Sequence, residues 1–184
     1  MIDQQTYKNL EIFEDEVSLY VFVDRARIDL MYKWERPYVE RCIEELNHTL
    51  NPETVLEIGY GLGFTSKKWK SLGVNPLVVE PNAKIAQMAR DDGFEVIEDF
   101  IQNITLLEHF DLIYDDRYEL CFDQGLDLDR FNFDNFAPWA DVGDLDSIHN
   151  NIYIEMISFF LNGRKWFQPI VSKEKIRWIL GEKV

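Results

Sequence analysis

Between Thr54 and Glu80 the chain reads as an apolar run, a glycine-rich turn, a helical stretch and a second apolar run. The segments are Thr54-Val55-Leu56-Glu57-Ile58, then Gly59-Tyr60-Gly61-Leu62-Gly63, a helix around 65–72, and Pro76-Leu77-Val78-Val79-Glu80. A helix inserted between two short buried strands makes a crossover, and a crossover sets those strands parallel. The alternation continues with a helix near 83–90, a strand over 94–98, a short helix near 101–107 and a strand over 110–114. The pattern predicts an α/β fold, a doubly wound and mainly parallel sheet with helices on both faces.

Ahead of this core, Val39, Cys42, Ile43 and Leu46 recur at helical spacing behind Pro37, and Asn51-Pro52 stops the run. The first thirty residues mix apolar and acidic positions and are expected to form a helical or extended lead-in. After Tyr114 the rhythm breaks. Residues 115–146 carry nine aspartates, one glutamate and two arginines among aromatic residues, in an order that does not fit a calcium loop, so a solvated or substrate-covering loop is expected. A helix is predicted over 152–161, ending at Asn162-Gly163, and a fifth strand over 166–171. Pro169 in that strand implies an edge position or pairing only at its start.

One domain is expected over residues 1–184, divided into N-terminal substrate-covering helices over 1–50 and a core over 51–184. Composition excludes more than it selects. A formal net charge of -15 argues against nucleic acid or anionic membrane as partner and suits a cationic ligand. Two cysteines, Cys42 and Cys121, provide neither a disulfide framework nor a metal quartet, and His48, His109 and His149 are scattered, so no metal site is expected. With no long apolar run and no basic-then-apolar start, neither a membrane span nor secretion is expected, and a cytoplasmic location follows.

The glycine turn opens a helix directly after a strand, and the next strand ends on an acid, Glu80, placed to accept ribose hydroxyls. The same residues also suit a plain tight turn and a solvated strand end. A dinucleotide fingerprint would need its third glycine at Phe64; here Glu57 precedes a GxGxG run instead. This form resembles motif I of class I S-adenosylmethionine (SAM) methyltransferases, and the resemblance implies a Rossmann-like sheet of that family's type with SAM as cofactor. It places Glu57 near the methionyl end, Gly59, Tyr60, Gly61 and Gly63 along the cofactor body, Glu80 on the ribose, and Glu98 and Asp99 at the adenine amine.

Two flanking segments narrow the resemblance. Met31-Tyr32-Lys33-Trp34-Glu35-Arg36-Pro37-Tyr38 and Phe110-Asp111-Leu112-Ile113-Tyr114-Asp115-Asp116-Arg117-Tyr118 resemble guanidinoacetate N-methyltransferase and related small guanidino and arginine methyltransferases, over about residues 28 to 120. The resemblance implies substrate binding by Trp34, Glu35, Tyr38, Asp115, Asp116 and Tyr118. Glu35 and Asp116 are the catalytic pair when the segments are aligned without a gap; Asp115 replaces Asp116 if one residue is deleted. Paired carboxylates suit a small cationic guanidino substrate. They hold the planar cation by fork-like hydrogen bonds, leave one nitrogen facing the methyl donor and favour proton loss as the bond forms.

The expected activity is therefore methyl transfer to a small guanidino compound. A SAM-binding protein without transfer activity, and a methyltransferase for another amine or a protein arginine, are the alternatives. Members of this family usually close their sheet with a reversed hairpin after strand five. With only 172–184 left after the expected fifth strand, the sheet is predicted to be shortened at its C-terminal end, its edge covered by a homodimer partner or by the N-terminal segment.

Overall fold

The computed structural model describes residues 4–106, 108–116, 130–138, 153–161 and 164–172. Its core is a seven-stranded sheet. In chain order the strands are β4 (Val55–Ile58), β5 (Leu77–Val79), β6 (Glu95–Ile97), β7 (His109–Asp115), β8 (Asn132–Pro138), β9 (Tyr153–Leu161) and β10 (Arg164–Ser172), arranged β6-β5-β4-β7-β8-β10-β9. Neighbours from β6 to β8 all pair in parallel. The fold is thus the expected Rossmann-like α/β class.

Helices α2 (Arg36–Leu50), α3 (Phe64–Ser71) and α4 (Ala83–Asp91) cover one face of the sheet. Strand alternation decides which side chains meet them. Val55, Leu112, Tyr114 and Ala137 pack with Ile43 and Leu46 of α2 and Trp69 of α3, while Val78 meets Ile85 and Ala89 of α4. The opposite face presents Leu56, Ile58, Val79 and Ile113 to Ile101, Leu106 and Phe131. There the helix expected over 101–107 is a single 3-10 turn, Ile101–Asn103, followed by extended backbone at Ile104. α2 ends where Asn51 enters the left-handed region at φ 46°, a conformation asparagine tolerates better than most residues.

The N-terminal segment departs from expectation. Among the described residues before 33 only α1 (Gln4–Lys8) is helical; β1 (Phe13–Glu14), β2 (Ser18–Val23) and β3 (Ala26–Tyr32) form a separate three-stranded antiparallel sheet. A 3-10 turn, Lys33–Glu35, leads from β3 into α2. Leu19 and Met31 of this small sheet pack with Tyr60 and Leu62 of the glycine turn, so the lead-in seats directly on the predicted site.

The C-terminal end also needs correction. Residues expected to be helical are β9, and β9 pairs antiparallel with β10 from Arg164↔Leu161 to Ser172↔Tyr153. The segment Tyr153-Ile154-Glu155-Met156-Ile157-Ser158-Phe159-Phe160-Leu161 is dominated by β-branched and aromatic residues, which suit a strand better than a helix. The Asp-rich stretch, expected to be a loop, contributes a strand of its own, β8. The sheet is therefore not shortened but ends in a hairpin, which removes the premise for a dimer across a bare edge. Toward β8, β10 pairs only at Lys165 and Trp166, ahead of Pro169, as the missing amide of proline requires. No helix among the described residues is long and apolar enough to cross a membrane.

Candidate functional site

β4 hands the chain to α3 through Gly59–Gly63, and the turn is built against two neighbours. Gly61 and Gly63 adopt φ values of +55° and +72°, where a side chain is strained. A Cβ on Gly61 would lie 2.9 Å from Met31 Sδ, and one on Gly63 would run into the Tyr60 phenol ring. Tyr60 is 1% exposed and its hydroxyl donates to Asp92 Oδ2 at 2.6 Å, so that ring cannot yield, whereas the end of Met31 can. Gly63→Ala should therefore cost about 2–4 kcal/mol and Gly61→Ala distinctly less, as measured by urea unfolding.

The turn's amides bind protein groups. Gly59 donates to the Val79 carbonyl (2.9 Å), Tyr60 to Glu80 Oε2 (3.1 Å), Gly63 to the Tyr60 carbonyl (2.8 Å) and Leu62 to Met31 Sδ (3.2 Å). Tyr60 contributes its backbone here, while its side chain points to Asp92 and Phe94.

Carboxylates gather at the carboxyl ends of β5, β4 and β7. Asp115 pairs in register with Ile58, and the Asp116 amide donates to the Ile58 carbonyl at 2.8 Å. Glu57 is fully buried. Its Oε2 accepts from Ser66 Oγ at 2.6 Å, and its Oε1 has no hydrogen-bond partner among the described residues. Burial, reinforced by the charges of Asp116 and Glu80 against the opposing Ser66 bonds, pushes Glu57 well above the ordinary carboxyl range. Glu80 is 2% exposed, with its two oxygens accepting from the Tyr60 and Asn82 amides; burial nevertheless raises it to about 7.

The upstream and downstream segments each carry a buried phenol, Tyr38 and Tyr114. Tyr38 is raised by burial, then by Cys42, Glu35 and Asp116; Tyr114 is raised by burial, then by Asp116, Cys42, Tyr38 and Glu57. Glu35 stands at the start of α2 and Asp116 at the end of β7, and these two elements pack together through Ile43, Leu46, Leu112 and Tyr114. Glu35 is 9% and Asp115 8% exposed, and Trp34 is half-buried, stacked on Tyr32 with ring centroids 5.8 Å apart. Glu35 also has a structural task, its Oε1 accepting the Tyr32 amide at 2.8 Å. Tyr38 is a core residue of α2, 1% exposed. Tyr118 lies outside the described residues.

The two acids expected at the adenine amine diverge. Glu98 pairs with Arg90 at 2.7 Å on the surface. Asp99 stands at the start of the 3-10 turn, where its Oδ1 accepts from the Phe100 amide (2.7 Å), Asn103 Nδ2 (2.9 Å) and Lys8 Nζ (2.6 Å). Beside them Asn82 caps α4, accepting the Lys84 and Ile85 amides, and its Nδ2 donates to the Tyr7 and Leu10 carbonyls.

Met31, Ser66, Asn82 and Lys8 are the contributors that motif reading passed over. Only Asn82 carried a local signal, as an N-cap residue ahead of an apolar helical pattern. At the opposite end of the sheet, His109 lies 3.9 Å from Asp111 and 3.4 Å from Asp134, an exposed cluster raised above the ordinary histidine value by Asn132 and the two aspartates.

No protein-family model matches the chain, and no curated protein matches its sequence. Solved structures similar to it include the plantazolicin methyltransferase BpumL in complex with SAH, at 19% identity and a TM-score of 0.37, over 45% of this chain and 35% of that one. The T. thermophilus 16S rRNA methyltransferase RsmC in complex with AdoMet and guanosine matches at 14% identity and a TM-score of 0.34, over 62% and 28%. A shikimate 5-dehydrogenase-like protein matches at 16% identity and a TM-score of 0.42, over 66% and 46%. This chain spans less than half the length of each.

Proposed function

We propose that this protein is a SAM-dependent N-methyltransferase acting on a small guanidino compound. One observation carries the reading: both carboxylate-bearing segments border the glycine turn, Asp116 through its amide bond to the Ile58 carbonyl directly ahead of the turn, and the Glu35 segment through Met31, whose sulfur accepts the Leu62 amide. The cofactor assignment rests on donor chemistry. Glu57 is a buried carboxyl with one unsatisfied oxygen, and such an atom calls for a cationic or hydrogen-bonding partner. The ammonium group of SAM supplies that partner, and Glu80 at the end of β5 suits the ribose hydroxyls.

SAM, when bound, supplies an electrophilic methyl group. The chain's own residues do the rest. Glu35 and Asp116 bind the guanidinium from two sides by charge-assisted bonds and fix its plane, so that positioning supplies most of the rate. Either carboxylate accepts the proton lost as the nitrogen is methylated.

A second reading, SAM binding without transfer, draws on the Glu35 Oε1 bond to the Tyr32 amide, which commits one of the four carboxylate oxygens to the fold. Calorimetry with SAM followed by mass spectrometry of a guanidino-compound panel separates the two. Binding with a methylated product supports transfer, binding with none supports the second reading, and no binding refutes both.

A further inference from the structure

His109, Asp111 and Asp134 gather at the amino end of the parallel sheet, the end opposite Asp115 and the glycine turn. His109 opens β7 and Asp111 follows two residues on, while Asp134 comes from the neighbouring β8. Backbone register brings them together. His109 pairs with Asn132, Phe110 with Phe133 and Leu112 with Asn135, which sets Asp111 opposite Asp134. Histidines scattered along the chain gave no hint of it, because the partner strand lies within the Asp-rich stretch.

The spacing of the ligand atoms is that of a metal site. His109 Nε2 lies 3.4 Å from Asp134 Oδ2 and 3.9 Å from Asp111 Oδ1, and one ligand atom from each residue falls within 4.8 Å of the others. Zinc bound tetrahedrally at about 2.0–2.2 Å from nitrogen and oxygen ligands holds neighbouring ligand atoms about 3.3–3.6 Å apart. The first distance already meets that value, and a small movement of the exposed His109 ring brings in the second.

Two further features set the trio apart from incidental surface charge. Asp111 is oriented from outside it: Oδ2 accepts from the Glu53 amide (2.8 Å), the Thr54 amide (2.9 Å) and Thr54 Oγ1 (3.0 Å), which turns Oδ1 toward His109. Asn132 hydrogen-bonds the imidazole, support of the kind that fixes the ring of a metal-ligating histidine. In addition, two carboxylates opposed across adjacent strands repel one another. A protonated His109 offsets that repulsion and a neutral ring does not, whereas a divalent cation coordinated by the neutral ring does.

We propose that His109, Asp111 and Asp134 form a binding site for a divalent transition-metal ion of the zinc class, independent of the SAM reading and at the other end of the sheet. The donor set selects the class. One imidazole nitrogen and two carboxylate oxygens suit zinc, cobalt or nickel; calcium takes about six to eight oxygens, and magnesium prefers oxygens in a near-ideal octahedron. The ion ties β7 to β8 and, through Asp111, to the start of β4, so its binding favours the folded state.

Zn²⁺ is the probe, titrated calorimetrically into the metal-free protein at pH 7.5. Wild type should bind one ion at this site, and its urea midpoint should rise with zinc. His109→Gln and Asp134→Asn should each weaken binding at least about tenfold and cancel that rise, with midpoints in chelator unchanged. Co²⁺ locates the ion without any variant: paramagnetic broadening of backbone amide signals should centre on residues 109–111 and 132–134. Zinc bound equally by wild type and both variants, or broadening centred on Cys121, His48 or His149, places the ion elsewhere and overturns the proposal. Absence of binding does so too, leaving the trio an ion pair between a protonated histidine and two aspartates. Mg²⁺ bound as tightly as Zn²⁺ overturns the metal class, since diffuse attraction to negative charge then accounts for the binding.

Discussion

Asp116→Asn is expected to lower methyl transfer to a guanidino acceptor at least about a hundredfold, while SAM affinity stays within a few fold. The size follows from the bond being removed. A charge-assisted contact to a guanidinium is worth about 1.5–3 kcal/mol, and loss of proton acceptance adds to it, so a hundredfold, about 2.7 kcal/mol, is a modest sum. The substitution leaves the strand intact, because the Asp116 amide, not its side chain, donates to the Ile58 carbonyl at 2.8 Å. Glu35→Gln should behave alike, since glutamine retains a carbonyl oxygen for the Tyr32 amide and so preserves the entry to α2. Single-turnover rates with saturating SAM, together with SAM titrations of each variant, check both. If the two variants lose SAM binding as fully as they lose turnover, the carboxylates belong to the cofactor and the assignment to substrate is wrong.

How much of this was legible in the sequence depends on how local each signal is. β4, the glycine turn, α3 and β5 were readable because apolar runs, glycines and helical spacing fall within one short window. β8 was hidden by its own charges, although Phe131, Phe133 and Phe136 are buried and Asn132 and Asp134 exposed, an alternation masked by the aspartates around it. The β2–β3 hairpin was hidden differently. Val23 pairs with Ala26 across Asp24-Arg25, both at positive φ, where two-residue hairpins ordinarily signal themselves with Asn-Gly or Asp-Gly. For β9 the signal was present but misread, since Asn162-Gly163 stands between two strands rather than at a helix end. At the site, the acids and glycines came from motif spacing, but the contacts that orient them did not. Ser66 on Glu57, Met31 on the Leu62 amide and Lys8 on Asp99 join residues 9, 31 and 91 positions apart, and pairings of that kind arise only from the folded topology.

The ligand-free protein is expected to lose stability as pH rises from about 4.5 to 7, the reverse of what a carboxylate-rich chain suggests. Most of the shifted acids, among them Asp92, Asp99 and Asp111, are lowered; their contribution is present above about pH 4 and lost only as pH falls further. Glu80 runs the other way. Burial raises it from 4.5 to about 7 in the folded state, so the native protein binds that proton more tightly than the unfolded chain does. Stabilisation by the proton is therefore complete below about pH 4.5 and gone above about pH 7, a change of about 3 kcal/mol from this group alone. Glu57, raised by burial and by its acidic neighbours, adds a decline of the same sign, and His109 adds one only above its unfolded value of 6.5. Urea midpoints at half-unit steps between pH 4.5 and 8 measure the slope. Glu80→Gln should flatten it between pH 4.5 and 7 while starting lower at the acid end, because an amide nitrogen then opposes one of the two backbone amides that Glu80 accepts. A cationic ligand beside Glu57 and Glu80 favours their ionised forms, so SAM should bind more tightly at pH 8 than at pH 6 and release protons as it binds. Calorimetry in two buffers of different ionisation enthalpy reads that release directly. An unchanged slope in Glu80→Gln, or identical heats in the two buffers at pH 6.5, would show that the carboxyl is already ionised before the ligand arrives.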